Sequence, residues 1–253
     1  MEIKAEGSKN IVAIIQARMG STRLPGKVLM DISGKSMLWH VVNRLKRSEI
    51  INNIVVATSV KKEDDVIENH CRQHGIDFYR GSEEDVLDRY YQAAKTYKAD
   101  VVVRITADCP LIDPNVVDKI ICKHLDNMSN SDGSSNAIDR TFPRGLDTEV
   151  MKMSVLEQMW ERAQEDYQRE HVTPYLYEHP EKFEVLSVKD DRNLSNLRWT
   201  VDEERDLAFI REIYKRLYKQ KDIFLLDDIL KLLEIEPNLR EINKDVRQKI
   251  INN

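Results

Sequence analysis

The chain has 253 residues, 33% charged and 41% hydrophobic, with 39 basic and 44 acidic side chains and a formal net charge of -5. This is the composition of a soluble globular protein with enough chain for a full core. It offers no general nucleic-acid surface, and no apolar stretch approaches the roughly 20 residues that span a bilayer.

Residues 1–10 are polar and lack the apolar segment of a secretory leader, so a cytoplasmic protein is expected. Cys71, Cys109 and Cys122 are odd in number, widely spaced and without a C-x-x-C pair. They read as buried free thiols in a reducing compartment, not as zinc ligands. Cys109 directly follows Asp108, but a covalent role would need a base beside it.

In chain order, Ile11–Gln16 is a continuous apolar run, suited to a strand buried on both faces. Residues 37–47 carry Met37, Leu38, Val41, Val42 and Leu45 at helical spacing. A second strand is expected at 54–58. A helix at 64–74 ends at Gly75, and a short strand covers 77–80. Residues 83–97 form a helix with Val86, Leu87, Tyr90, Tyr91 and Ala94 on its apolar side. Residues 101–106 are the most apolar strand. A helix at 115–125 is entered through Asp113 as N-cap and Pro114.

This alternation predicts a three-layer α/β/α sandwich with a mostly parallel sheet. Ligands bind beyond the carboxyl ends of such strands. The loops at 17–27, Ser59, Gly81 and 107–110 should therefore share one edge.

After Asn127 the pattern loosens. Residues 127–136 are rich in Ser, Asn, Asp and Gly and read as a flexible loop. Residues 147–153 alternate like a strand. Ser154, with Glu157, is the expected cap of a helix at 155–166. Further helix is expected at 170–178, and strands at 183–188 and 197–201. A long helix should run from Asp202 to Tyr218, with another at 225–233. No linker is evident. The chain reads as a single domain, 1–253, with an insertion at 127–182.

The stretch 16–29 reads Q-A-R-M-G-S-T-R-L-P-G-K-V-L. It is not a P-loop: five residues separate Gly20 from Gly26, Val28 follows Lys27, and Pro25 removes an amide donor. A G-x-G-x-x-G fingerprint is absent too. The loop still suits a triphosphate. Amides around Gly20, Ser21 and Thr22 can form an anion nest, and Arg18, Arg23 and Lys27 can neutralise phosphate oxygens.

Asp108 lies just past the most apolar strand, and Asp202 ends a second one. Together they can share one Mg²⁺, with phosphate and water completing its shell. Singly, each could be only a helix cap, Asp202 especially, because Glu203 and Glu204 follow it. The less regular half carries two more polar clusters, 140–149 and 169–175. His171 within the second could be functional or structural. The remaining histidines read as surface or packing residues.

As a set, these motifs resemble the sugar-activating cytidylyltransferases that act on 3-deoxy-manno-octulosonate and acylneuraminates. The branch called spore coat polysaccharide biosynthesis protein F-like is the nearest likeness. Residues 80–91, 106–114, 142–150, 169–175 and 198–202 carry it, and it runs from about residue 11 to about 218. The resemblance implies a nucleotide-diphospho-sugar transferase fold. It implies Mg²⁺-dependent transfer of CMP from CTP to a small-molecule acceptor, with release of pyrophosphate.

On this resemblance Arg18 and Lys27 match the triphosphate-binding cations, with Arg23 in the same loop. Asp108 and Asp202 match the metal carboxylates. Ala17, Ser59, Arg80 and Ser82 fall near the cytosine and ribose, and Gln16, Gly20, Ser21 and Thr22 complete the nucleotide site. Arg144, Asp147, Glu149, Glu170 and His171 are acceptor candidates, within the 127–182 segment that is also a possible dimerisation region. A homodimer is expected on the resemblance alone, in surface polysaccharide or glycoconjugate biosynthesis.

The acceptor could be a sugar acid or a phosphorylated or phosphonate molecule. The rivals are a transferase of the same fold using another nucleotide, a glycosyltransferase and a non-catalytic binding protein. The first usually has glycines where this chain has Gln16-Ala-Arg. The second usually has a D-x-D motif, which Asp108-Cys-Pro does not supply.

Overall fold

Strand β1 (Ile11–Gln16) takes an interior place in the sheet because both of its faces are apolar and buried. The structure, a computed structural model, describes residues 9–218 and 223–248. A loop and a 3-10 turn at Lys27–Leu29 lead to a small ribbon, β2 (Asp31–Ile32) and β3 (Lys35–Ser36). Then follow α1 (Met37–Leu45), β4 (Asn53–Ser59), α2 (Asp65–His74), β5 (Asp77–Gly81), α3 (Val86–Thr96), β6 (Val101–Thr106) and α4 (Pro114–Leu125). The second half adds β7 (Gly133–Ser135), β8 (Glu149–Lys152), α5 (Met153–Arg162), α6 (Asp166–His171), α7 (Pro174–Glu178), β9 (Val185–Ser187), α8 (Glu204–Leu217) and α9 (Leu226–Ile235).

The main sheet has the order β5-β4-β1-β6-β8-β7-β9. The first four strands are parallel, β8 runs antiparallel to β6 and β7, and β9 is parallel to β7. Gln16 pairs with Ala57 and Thr106, so the carboxyl ends of β4, β1 and β6 lie level. Alternate residues of β1 face opposite layers. Ala13 and Ile15 pack with Val41, Val117 and Ile210, while Val12 and Ile14 pack with Tyr90, Leu156 and Leu176. Each fully buried aliphatic side chain contributes about 1.5–3 kcal/mol. This is the expected α/β/α sandwich.

Several local expectations need correction. Residues 127–136 are not all loop. Gly133, Ser134 and Ser135 are buried as β7, and the Ser134 hydroxyl donates to the Ile120 carbonyl at 2.8 Å. A side chain at Gly133 would meet the Val150 carbonyl oxygen at 2.7 Å, so the strand needs small residues and shows no apolar alternation. Helix α5 starts at Met153, with Lys152 at its cap position and Ser154 inside its first turn.

The helix expected at 170–178 is broken at Val172, whose φ of 73° is rare for a β-branched residue. There Thr173 N–H donates to the His171 carbonyl at 2.9 Å, and Pro174 starts the next helix. Residues 197–201 form no strand, only a parallel bridge between Arg144 and Arg198. Gly145 sets that crossing. Its φ is 103°, and a Cβ there would lie 2.5 Å from the Trp199 carbonyl carbon.

Asp113 caps α4 as expected, accepting from the Asn115 and Val116 amides at 2.8 and 3.4 Å. Cys71 and Cys109 are buried free thiols, but Cys122 is exposed. Among the described residues, no helix is long and apolar enough to cross a membrane.

Candidate active site

The loop after β1 is folded by its own backbone and by one buried acid. Ala17 N–H continues the strand by donating to the Ala57 carbonyl at 3.1 Å. The Met19 carbonyl then accepts from Ser21 N–H at 2.8 Å and Gly26 N–H at 2.9 Å, which closes the loop on itself. Within the expected anion nest the Ser21 amide is thus already engaged. Gly26 adopts a left-handed φ of 71° and turns Lys27 inward.

Asp64, fully buried ahead of α2, clamps this loop to the end of β4. It accepts from Met19 N–H at 2.7 Å and from the Ser59 hydroxyl at 2.5 Å. Ser59 therefore fixes the loop's neighbour through Asp64.

Lys27 is the centre of the site. Its ammonium donates to Asp108 Oδ2 at 2.8 Å, Asp202 Oδ1 at 3.1 Å and the Val201 carbonyl at 2.7 Å. Burial alone would lower its pKa, but the two carboxylates outweigh burial and hold it above the usual lysine value. Burial would likewise raise Asp108. Lys27, and hydrogen bonds from Lys27 and Thr106, keep it below the ordinary carboxylate value. The Thr106 hydroxyl reaches Asp108 Oδ1 at 2.6 Å. Burial and the adjacent Asp108 push the Cys109 thiol well above its ordinary value, which leaves it protonated and weakly nucleophilic.

Arg23 adds an ion pair to Asp202 Oδ2 at 2.9 Å. Asp202 is not the cap of α8. Glu203 and Asp206 form the capping box, so the Asp202 carboxylate points to cations instead.

The other expected residues divide. Arg18 stands at the mouth with a 40% exposed side chain, 3.7 Å from Glu170 and 4.0 Å from Glu83. Gln16 accepts from Arg104 at 3.1 Å. Arg80 sits at the end of β5. It pairs with Asp65 and Glu68 at 2.7 Å and donates to the Ser59 and Lys61 carbonyls at 2.8 and 2.9 Å. The Ser82 hydroxyl accepts from Asp85 N–H at 3.0 Å, a turn before α3.

On the other side, Glu149 is 6% exposed, ion-paired with Arg104, and accepts from the Tyr177 hydroxyl at 2.5 Å. Asp147 pairs with Arg140 and accepts from Gly145 N–H at 2.9 Å. Arg144 lies beside Arg140 and Arg198. Burial first, then those two cations, lower its pKa. Among the described residues no ion pair to Arg144 is present.

Asp64, Tyr177 and Asp206 carry no signal in the sequence, and Arg104 and Arg198 stand there only as the opening residues of the stretches that lead to Asp108 and Asp202, with no role of their own. Each acts by holding another side chain. Only the burial of a charge inside an apolar frame signals such a role, and a sequence does not display burial.

Among the described residues, no group of three or more His, Cys, Asp or Glu side chains could hold a metal ion. Asp108 and Asp202 nevertheless fit a magnesium ion. They are two hard oxygen donors already sharing one cation, and magnesium commonly takes one or two carboxylates plus substrate phosphates and water.

A cationic loop behind β1 and paired carboxylates past β6 and before α8, on a mostly parallel α/β/α sheet, define a site of the nucleotidyltransferase class. A cytidylyltransferase family profile matches residues 12–248. The chain belongs to the cytidylyltransferase family, whose chemistry is CTP-dependent nucleotidyl transfer.

An uncharacterised protein of Methanocaldococcus jannaschii is 41% identical over 243 residues, covering 94% of this chain and 96% of that protein. The spore coat polysaccharide biosynthesis protein SpsF of Bacillus subtilis is 36% identical over 236 residues, covering 90% and 96%. A cytidylyltransferase structure from Leptospira borgpetersenii superposes with a TM-score of 0.88 at 34% identity. The match covers 96% of this chain and 100% of that one.

Proposed function

We propose that the protein transfers CMP from CTP to a small anionic acceptor, a sugar acid or a phosphorylated or phosphonate molecule, and releases pyrophosphate. The similarity to a spore coat polysaccharide biosynthesis protein supports a place in surface polysaccharide or glycoconjugate synthesis. A cytoplasmic location and a homodimer are part of the same proposal and rest on the sequence resemblance alone. The single observation that carries the reading is Lys27 held between Asp108 and Asp202 at the ligand edge of the sheet.

Asp108 and Asp202 would hold magnesium, which when bound draws charge from the α-phosphate and the leaving pyrophosphate. Lys27 then donates to phosphate oxygens in place of the carboxylates, and Arg23 does the same beside it. Arg18 at the mouth closes on the terminal phosphates, exchanging Glu170 for them. These cations stabilise the charge that develops as the acceptor oxygen attacks the α-phosphorus in line with pyrophosphate.

The acceptor lies toward Arg144, with Asp147, Glu149, Glu170 and His171 around it. Arg144 has two cationic neighbours, Arg140 and Arg198, against one acidic one, Asp147, and no ion-pair partner among the described residues, which favours an anionic acceptor. A carboxylate or phosphate oxygen needs little activation and no strong base, whereas a sugar hydroxyl would need more, because it must lose a proton as it attacks.

The test is pyrophosphate release with Mg²⁺ and each of CTP, UTP, GTP and ATP, over a panel of sugar acids, phosphorylated sugars and phosphonates. Release specific to CTP and to one anionic acceptor is expected. Equal release with another nucleotide, or none with any, would contradict the reading.

A further inference from the structure

Three cations converge on Asp202. Lys27 Nζ reaches Oδ1 at 3.1 Å, while Arg23 Nη2 and Arg198 Nη2 share Oδ2 at 2.9 and 2.7 Å. They are not equivalent. Lys27 and Arg23 belong to the loop behind β1. The Arg23 side chain is 31% exposed and reaches Glu203 at only 3.5 Å.

The Arg198 side chain is 9% exposed and tied at every nitrogen. Nε donates to Asp206 Oδ1 at 2.9 Å, Nη2 also to Asp206 Oδ2 at 3.2 Å, and Nη1 to Gln248 Oε1 at 2.6 Å. Asp206 is fully buried. It accepts in addition from the backbone N–H of Asp202 at 3.0 Å and of Glu203 at 3.1 Å, and from Asn243 Nδ2 at 3.0 Å. Asn243 also donates to the Arg198 carbonyl at 3.0 Å. One buried acid therefore fixes both the backbone of Asp202 and the guanidinium that grips its carboxylate.

A triphosphate entering the cleft competes with Asp202 for its cations. Lys27 and Arg23 can answer, because charged groups on a loop re-pair with phosphate oxygens at little cost. Arg198 cannot, because its departure would leave the buried Asp206 carboxylate without its cation. When the loop cations turn to phosphate, Arg198 is the counter-charge that stays.

We propose that Arg198 is the positioning residue for Asp202. It is backed by Asp206 and by Asn243 and Gln248 of the C-terminal segment, and it aims the carboxylate at a divalent cation shared with Asp108. The inference rests on the transfer reading above. It adds that metal affinity, rather than nucleotide affinity, is what Arg198 sets.

The experiment uses full-length protein and Mn²⁺ as a spectroscopic probe, titrated with and without CTP, alongside steady-state rates. The variants are Arg198→Met, Arg198→Lys and Gln248→Ala. Circular dichroism and thermal melts report the fold.

Arg198→Met is expected to lose about 10–100-fold in Mn²⁺ affinity and in kcat, the usual cost of removing a partner of a metal ligand. Its KM for CTP should stay within about threefold. Lysine keeps the charge but cannot reach both acids, so Arg198→Lys should recover only part of the loss. Gln248→Ala should weaken Mn²⁺ binding by a smaller factor.

If Arg198→Met does not fold, Arg198→Lys carries the test. A folded Arg198→Lys with wild-type Mn²⁺ affinity and kcat would overturn the proposal. So would a folded Arg198→Met whose only change is in KM for CTP. Wild-type protein that binds no Mn²⁺ and releases no pyrophosphate would overturn the transfer reading, and this inference with it.

Discussion

The parallel and antiparallel halves of the sheet treat charge in opposite ways. In the parallel half, β5-β4-β1-β6, charged side chains leave their own segment and meet others at the carboxyl edge. Lys27 joins Asp108 and Asp202, and Arg18 reaches toward Glu83 and Glu170. Around the antiparallel strands, Arg144 excepted, charge is settled between neighbours. Glu149 on β8 faces its register partner Arg104 on β6, and Asp147 pairs with Arg140 a few residues away. The first arrangement holds cations that can be handed to a ligand. The second is a finished frame that shapes a wall. A mutation in the frame should therefore cost stability, and one among the exchangeable cations should cost substrate binding.

The sharpest break of that contrast is Glu149→Gln. It leaves the half-buried Arg104 without its carboxylate. Loss of one partner of a fully buried pair costs about 3–5 kcal/mol, and the partial exposure of Arg104 puts the expected loss at or below the lower end of that range. Urea denaturation measures it, and an unchanged midpoint would show that the wall is not held by this pair. Next, Gly145→Ala forces a side chain onto a φ of 103° against the Trp199 backbone. A loss of about 1–3 kcal/mol is expected from such backbone strain, with the Arg144–Arg198 crossing disturbed.

On the other side of the comparison, Arg18→Ala should leave the melting temperature in place and raise KM for CTP by about tenfold, with kcat less affected. A destabilised but kinetically normal Arg18→Ala would reverse the assignment of the two halves.

The smallest effect at neutral pH comes from two histidines inside the helical layers. Burial lowers His40 and His124 to about 4. Folded protein thus binds fewer protons than unfolded chain between about pH 6.5 and pH 4. The stability these rings contribute is complete above pH 6.5 and declines as pH falls through 4. His124→Leu should flatten the midpoint-versus-pH curve in that interval, and an unchanged slope would remove His124 from the account.

How much of this was legible in the sequence follows the same division. Ile11–Gln16 and Val101–Thr106 are apolar on both faces, so their burial, their parallel pairing and the position of the residues after them could be read directly. That placed Lys27 and Asp108 on one edge. β7 could not be read, because a strand of Gly133, Ser134 and Ser135 is selected by the space beside Val150 and Ile120, not by hydrophobic alternation. The break at Val172 escaped for a related reason: its neighbours have helical spacing, and only packing holds a valine at positive φ. The resemblance puts Arg80 near the cytosine and ribose, but its ion pairs with Asp65 and Glu68 of α2 could not be read from the sequence. Pairing across elements is set by tertiary structure, and so the Arg198–Asp206 pair became visible only with the fold.

The central claim is that Asp108 is a metal-holding carboxylate of a CTP-dependent transfer site. It is tested most directly by pyrophosphate release from CTP with Asp108→Asn, which keeps size and shape while removing the charge. A loss of about a thousandfold, with unchanged circular dichroism, is the predicted result. Turnover of Asp108→Asn at the wild-type rate would contradict it.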